Sequence, residues 1–371
     1  MSGEPAATSV EASEFRCPDC NGEMHWDAGA SAMKCQFCAR TVQPAEQEGS
    51  RSVVEYDLEH GLAMASQRGY GVMVRTSVCK ECGATVSFGE QTTSTRCDFC
   101  DSPQVMQQEG ARNLIRPESV VPFQVDRGVA TGKFEHWLRR LWFRPYDLKH
   151  KASVDEMNGV YIPYWTFDAD VASRWTAQSG TYYYETEHYT DRDASGNTVS
   201  KTRQVRKVRW HWTSGRRQDH YDDLLVCASC GLPRDMAAKL RTFDTAALRP
   251  WEASYLAGWK AEEYAVDLNQ GWKEAVDSME ASQRQRCSGD VPGDTQRFLS
   301  VDNQFSSERF KHVLLPLWIA SYRYREKIYR FLVNGQTGEV TGKAPLSWFK
   351  ILLLAALVTA AIVGIILLVR R

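Results

Sequence analysis

The amino-acid sequence predicts an α+β protein with two small cysteine-ligated ribbons, a strand-rich α+β domain and one C-terminal transmembrane helix. Three observations carry this prediction: a four-cysteine grid that occurs twice, a middle region rich in aromatic and β-branched residues, and a long apolar run at the end. A chain of 371 residues has length for two or three domains and a sizeable core. Its composition, 43% hydrophobic and 25% charged, is globular. The formal net charge of −1 gives no global reason for polyanion binding.

Residues 1–14 (MSGEPAATSVEASE) hold neither a basic n-region nor an apolar h-region, so they are expected to be a disordered N-terminus rather than a secretory signal. The first ribbon is placed at residues 15–42. Here Cys17, Cys20, Cys35 and Cys38 form two Cys-x-x-Cys pairs with fourteen residues between them. The grid returns 62 residues on as Cys79, Cys82, Cys97 and Cys100, in a second ribbon at 76–106. Lys34 and Arg96 precede each third cysteine, and Phe37 and Phe99 fill the same slot, which marks an internal duplication.

Ten of the eleven cysteines lie in such pairs, which is the arithmetic of metal ligands rather than of a disulfide framework. Zinc takes four soft ligands in a tetrahedron, and a Cys-x-x-Cys turn supplies two of them on one edge. Asn21 and Gly83 suit the left-handed position that follows such a turn. Four thiolates around Zn²⁺ leave a net charge of about −2, which Lys34 and Arg96 are placed to offset in part. With every position filled by sulfur, both sites are expected to be structural zincs. His25 then reads as a surface or packing residue. HWDAG and TVSFGEQT read as short strands between the pairs. Cys227 and Cys230 form a third pair without a complement, and read as thiols at a strand end. Zinc-binding thiols and no export signal point to a reducing cytosol.

Between the ribbons, residues 43–75 are expected to form a polar linker with a short helix in EYDLEHGLAMAS. The α+β domain is placed at 112–345. PESVVPFQV reads as extended, and GKFEHWLRRLWF sets Phe134, Trp137, Leu138 and Leu141 on one helical face. Strands follow in YIPYWTFDADVASRW, TYYYETEHYT and TVSKTRQVRKVRWHW, then a helical patch over roughly 252–286. Strands return in FKHVLLPLWIASYRYREKIYRFLV, with a turn at Asn334-Gly335. The stretch from Gly159 to Trp165 echoes His312 to Trp318, 153 residues later. Pro163 and Pro316 inside these runs are expected to mark an edge or a bulge.

No catalytic constellation stands out, so the chain is expected not to be an enzyme and no small-molecule substrate is inferred. The GQTGEVTGK segment lacks the first glycine of a phosphate loop and carries Ala344 where the magnesium-binding hydroxyl belongs. His188, His211 and His220 flank several aspartates without a metal or triad spacing. The stretch from Lys201 to Arg217 carries seven basic residues, no acid, and Trp210 and Trp212. It fits nucleic acid or anionic head groups, though the acidic neighbours Asp191, Asp193, Asp219, Asp222 and Asp223 also fit a self-neutralising hairpin.

Residues 346–371 complete the chain. Ile351 to Val369 gives nineteen residues without a charge and with one hydroxyl, Thr359. A helix of that length is about 28 Å, enough to cross a bilayer core. It is apolar all round, where a core helix would show a stripe. Trp348, Phe349 and Lys350 at one end and Arg370-Arg371 at the other read as interfacial anchors.

The cysteine quartets, PESVVPF (117–123), GVYIPYWTFDA (159–169), WEASYLAGWKAEEY (251–264) and VNGQTGEVTGKAPLSW (333–348) resemble the bacterial membrane-anchored zinc-ribbon proteins, often labelled primosomal-protein-N′-like or phage-replisome-organiser-like. The likeness covers nearly the whole chain from about residue 76 and is most specific over 333–348. It implies an accessory role. Relatives sit in gene neighbourhoods with flotillin-like (SPFH-domain) and phage-shock-protein-A-like proteins, and look like adaptors that recruit them to the membrane. The expectation is thus a single-pass, tail-anchored adaptor of the inner membrane, with most of the chain cytoplasmic and two structural Zn²⁺ sites. The alternative is a nucleic-acid-binding accessory protein of replication or transcription that uses the ribbons and the basic strand.

Overall fold

A computed structural model of the chain describes residues 15–43, 53–64, 75–88, 96–100, 102, 105–109, 115–145, 148, 157–192, 196–240, 242–324 and 327–369. The expected N-terminus at 1–14, residues 44–52 and 65–74 of the linker, Asp193 and Arg370-Arg371 lie outside the described residues. The chain forms two compact units. The first takes the described parts of Met1–Thr166, Leu225–Gly271 and Lys311–Arg371, the second those of Phe167–Leu224 and Trp272–Phe310.

In the first unit, β1 (Met24–Asp27), β2 (Ala32–Cys35) and β3 (Thr41–Val42) make a three-stranded antiparallel sheet, with Met24 opposite Cys35 and Trp26 opposite Met33. A short strand β4 (Tyr56–Asp57) leads into helix α1 (Leu58–Met64), where the Asp57 carboxylate accepts the Glu59 N–H at 3.0 Å as a cap. The second ribbon is the hairpin of β5 (Arg75–Cys79) and β6 (Thr85–Phe88), with β7 (Val105–Glu109) on the far side of β5. After β8 (Ser119–Val120), Asp126 caps helix α2 (Arg127–Arg140) by accepting the Val129 N–H at 2.9 Å. Phe134 and Leu138 bury the face that the spacing predicted, with Trp137 and Leu141 packed at its margin.

Two long strands follow, β9 (Met157–Arg192), continuous where the sequence read as two pieces, and β10 (Thr198–Cys227), which runs on past the strand read at 198–212. A single turn α3 (Arg234–Ala237), the two-residue β11 (Arg249–Pro250) and β12 (Lys260–Glu262) precede helix α4 (Leu268–Asp290). The expected helical patch therefore begins later than 252, since Ala253–Leu256 is a 3-10 turn. Then come β13 (Thr295–Tyr324), β14 (Lys327–Asn334), β15 (Val340–Gly342) and helix α5 (Trp348–Val369). The turn predicted at Asn334 is present, with the Gly338 N–H donating to the Asn334 carbonyl at 2.9 Å. The α+β expectation holds, with strands outnumbering helices.

The main sheet of the first unit runs β11-β8-β13-β9-β12-β6-β5-β7. β12 joins its halves, parallel to β9 through Ala261 opposite Tyr161 and antiparallel to β6 through Ala261 opposite Ser87. The second ribbon is thus an extension of this sheet. The two echo strands, β9 and β13, lie side by side in its middle. Pro163 and Pro316 are therefore interior, contrary to the edge or bulge expected of them. The reason is that their partners are short: β8 pairs with β13 at Val313 and Leu314, and β14 takes over at Leu317. Each proline sits where a ladder has stopped, and its carbonyl still accepts a hydrogen bond, from Ala228 at Pro163 and from Gly335 at Pro316. The echo extends to the tryptophans. The Trp165 indole donates to the Val266 carbonyl at 2.9 Å, and that of Trp318 to the Val125 carbonyl at 2.8 Å.

One core cluster of this unit closes around Phe123. Its ring stacks on Trp259 at 4.0 Å and meets Tyr161 and Trp318 edge-on. A side chain at Gly159 would collide with this stack, because its Cβ would fall 2.1 Å from the Trp259 ring. Trp26 of the first ribbon, only 3% exposed, docks onto the same cluster. Its indole donates to the Phe123 carbonyl at 3.3 Å, its amide donates to the Ala257 carbonyl at 3.1 Å, and its carbonyl accepts the Trp259 indole at 3.0 Å.

Helix α5 presents an apolar surface on every side and, over Trp348–Leu368, has mean hydropathy 3.1 and no buried share, long and apolar enough to cross a membrane. Its start is fastened to the end of α2. The Ser347 N–H donates to the Phe143 carbonyl at 2.6 Å, and Lys350 Nζ donates to the Trp142 carbonyl at 3.0 Å.

The second unit has its own small core of Trp175, Ala177 and Cys287. Trp272 on α4 packs against Phe167 and Phe305. Arg217 bridges Asp219 at 2.5 Å and Asp290 at 2.7 Å, and Arg286 also meets Asp219 at 2.7 Å. These guanidinium contacts, Arg217 foremost, hold the Asp219 carboxyl well below the usual range.

Replacing Trp26 by alanine removes the indole that joins the first ribbon to the core. It is expected to lower stability by about 3–5 kcal/mol. The shift of the midpoint in chemical denaturation checks this.

Candidate metal centres

Each quartet predicted from spacing is brought together. In Cys17, Cys20, Cys35 and Cys38, and again in Cys79, Cys82, Cys97 and Cys100, all four sulfurs lie within 4.8 Å of one another. The closest sulfurs are Cys20 and Cys35 at 3.4 Å and Cys17 and Cys38 at 3.5 Å in the first group. In the second they are Cys79 and Cys100 at 3.5 Å and Cys82 and Cys97 at 3.6 Å. A tetrahedron of sulfurs about 2.3 Å from a central ion has edges near ~3.8 Å. All eleven cysteines are free thiols. The donor sets therefore fit a tetrahedral metal ion, and these two groups could each hold one.

Backbone turns build the sites as the sequence required. Asn21, at φ 56°, donates its N–H to the Cys17 carbonyl at 2.9 Å, and Gly83, at φ 78°, does the same to Cys79 at 3.0 Å. Ala39 takes the matching left-handed position after Cys38, at φ 59°, with no residue-type signal to announce it. The Phe37 amide points at Cys35 Sγ at 3.4 Å. The amides of Cys38 and Phe37 draw the Cys35 thiol down to about 7, toward the thiolate that binds metal. The Arg40 amide favours the Cys38 thiolate too, but the thiols of Cys17 and Cys20 push Cys38 up to about 12. A cation at the centre removes that conflict. Burial is the first cause that pushes Cys100 up to about 11.

The copies have diverged. Phe37 is 77% exposed whereas its duplicate Phe99 is 1% exposed. Phe99 packs on the 227–231 loop, where a Cβ on Gly231 would come within 2.6 Å of its ring. Lys260 bridges Asp98 at 2.7 Å, and Ser87 donates to Glu263 at 2.9 Å. Cys227 and Cys230 lie outside both quartets. Cys230 approaches the second site beside Gly83, and burial pushes its thiol up to about 11. The loop is held by Glu262, whose buried carboxyl is pushed up to about 7 and accepts the Gly231 N–H at 3.1 Å.

Lys34 pairs with Asp27 at 3.2 Å, and amide donors face the first cluster. His25 shares a 2.7 Å hydrogen bond with Gln36 and is no part of the quartet. His220 meets Asp170 at 2.8 Å, an exposed pair that spacing did not indicate, since the two lie on different strands. Sequence reasoning also missed Trp26 and the exposed pair Trp142-Phe143. For Trp26 a signal existed: a tryptophan between metal pairs has no need to be there unless it packs against something outside the ribbon.

No family model matches the chain, and no solved structure matches it. The chain is similar to the uncharacterized protein YdjG of Bacillus subtilis (strain 168). The two are 23% identical over 341 residues, which is 91% of each chain.

Two metal ions per chain are expected in the purified full-length protein, falling to one in Cys38→Ser and one in Cys100→Ser. Elemental analysis checks this. Because Cys100 belongs to a buried core cluster and Cys38 is exposed, the second variant is expected to lose the larger share of stability.

Proposed function

We propose that this chain is a non-enzymatic zinc-ribbon adaptor, anchored by α5 in the bacterial inner membrane with its bulk in the cytoplasm, that recruits protein partners through the first ribbon. The observation that carries this reading is the contrast between Phe37 and Phe99. Duplication supplied both rings, and only one was absorbed into the core. An exposed phenylalanine on a rigid metal knuckle is the kind of anchor around which interface energy concentrates. The same ribbon is already docked on the core through Trp26, so the knuckle is presented in a fixed pose.

The two ions are read as Zn²⁺, because four thiolates in a tetrahedron suit a soft d¹⁰ ion and leave no place for a reacting water. The ion would lock each pair of knuckles together, and the chain's own amides orient the thiolates that hold it. For the membrane, support comes from α5 and from four exposed aromatic residues at its base, Trp142, Phe143, Trp348 and Phe349. Aromatic rings gather at the level of head groups. The partner class proposed is flotillin-like (SPFH-domain) or phage-shock-protein-A-like, on the sequence resemblance.

Recovering full-length wild type and Phe37→Ala from bacterial membranes and comparing the co-purifying proteins tests the proposal. The variant is expected to keep its metal and its membrane location while recovering partners about tenfold less. An unchanged partner set removes the docking role of the ribbon.

A further inference from the structure

The hairpin of β9 and β10 in the second unit sorts its side chains by chemistry. Lys201 meets Asp191 at 2.7 Å, Arg203 meets Glu187 at 3.0 Å and Lys207 meets Glu185 at 2.5 Å, so the odd-numbered residues share one face. Gln204 donates to Thr186 at 3.1 Å and the Arg206 guanidinium lies 4.3 Å from the centre of the Tyr182 ring, so the even-numbered residues share the other. Every acid of the hairpin from 178 to 192 is on the odd face, and each is met by a lysine or arginine there. From 198 to 218 the even positions carry no acid either. The self-neutralisation expected from the sequence holds for the odd face alone.

The even face is aromatic and cationic. Tyr184 and Trp212 are each 66% exposed. Trp210 crosses Gly180, where a Cβ would meet its ring at 2.8 Å, and the Arg297 guanidinium from β13 lies 4.1 Å from its centre. At this margin Asp294 accepts the Tyr182 N–H at 2.7 Å.

Two kinds of polyanion suit arginine with aromatic rings, and the geometry separates them. Successive bases of a single strand need a row of bare ring faces, yet Tyr182 and Trp210 each carry a guanidinium, which breaks the row and leaves Tyr184 and Trp212 for stacking. A guanidinium lying on a ring keeps N–H groups at its edge for phosphate oxygens. Exposed tryptophan and tyrosine suit the head-group layer. We propose that the even face of this hairpin binds the anionic phospholipid head groups of a membrane surface, with phosphate oxygens accepting from Arg206 and Arg297 and with Trp212 and Tyr184 among the head groups. This surface is separate from the ribbon knuckle and does not depend on its role.

The test uses the full chain in phosphatidylcholine nanodiscs, sedimented with extruded vesicles. Wild type is expected to bind vesicles of phosphatidylcholine and phosphatidylglycerol at about 7:3 and not phosphatidylcholine alone. The triple variant Arg206→Gln, Arg297→Gln, Trp212→Ala is expected to weaken binding about tenfold or more, and Lys201→Gln with Lys207→Gln about twofold or less. Circular dichroism and metal content are expected to be unchanged in both. Failure of wild type to bind the mixed vesicles, or an equal loss from the odd-face variant, overturns the proposal. So does binding of a single-stranded oligonucleotide that the triple variant abolishes while vesicles are ignored.

Discussion

The docking of the first ribbon on the first unit depends on the contacts of one residue. Phe123 stands where four distant stretches of chain converge: Trp26 from the first ribbon, Tyr161 from β9, Trp259 from the segment before β12, and Trp318 from β13. The stack alone would place these groups loosely, since aromatic contacts contribute only about 0.5–1.5 kcal/mol each. What makes the joint specific is that three indoles also donate to backbone carbonyls, those of Phe123, Trp26 and Val125. A buried indole N–H without an acceptor costs about 1–3 kcal/mol, so each bond excludes other ways of packing the same rings. The ribbon, both echo strands and the helix that follows Phe123 are oriented by this joint.

How much of this was legible in the sequence varies by kind of signal. Ligand spacing is local chemistry, so Cys17 to Cys38 and Cys79 to Cys100 declared themselves, as did Asn21 and Gly83. Helix α5 was legible because nothing in its composition changes around its circumference. Burial of a duplicated residue was not: Phe37 and Phe99 fill the same slot inside a Cys-x-x-Cys pair, and it is the neighbouring loop at Gly231 that covers one of them. The interior prolines were misread for a related reason. A strand's hydrogen-bonding partners, and where they stop, are a property of other segments. The basic strand was legible as charge but not as two faces, because pairing with β9 decides which cations meet an acid.

Duplication explains how one motif serves two purposes. A closed four-sulfur site folds a short segment that has too little apolar surface to hold itself together. Once folded, such a segment has spare faces. The second copy has spent them on β12, Glu263 and the 227–231 loop, and has become part of a sheet. The first copy has used one face, through Trp26, and kept the knuckle bearing Phe37. The same hardware is thus a structural member in one place and a presented surface in the other.

The fastening of α5 has a consequence for position. Trp142 and Phe143 are held beside Trp348 and Phe349 by the bonds from Ser347 and Lys350, so the aromatic collar belongs jointly to the folded unit and to the helix. In a bilayer, such a collar is a depth gauge. Thickening the membrane or lengthening the helix would be taken up by tilt within the hydrocarbon, while the first unit kept its height above the head groups. The distance from the surface to everything built on that unit is then set by the protein, not by the lipid beneath it.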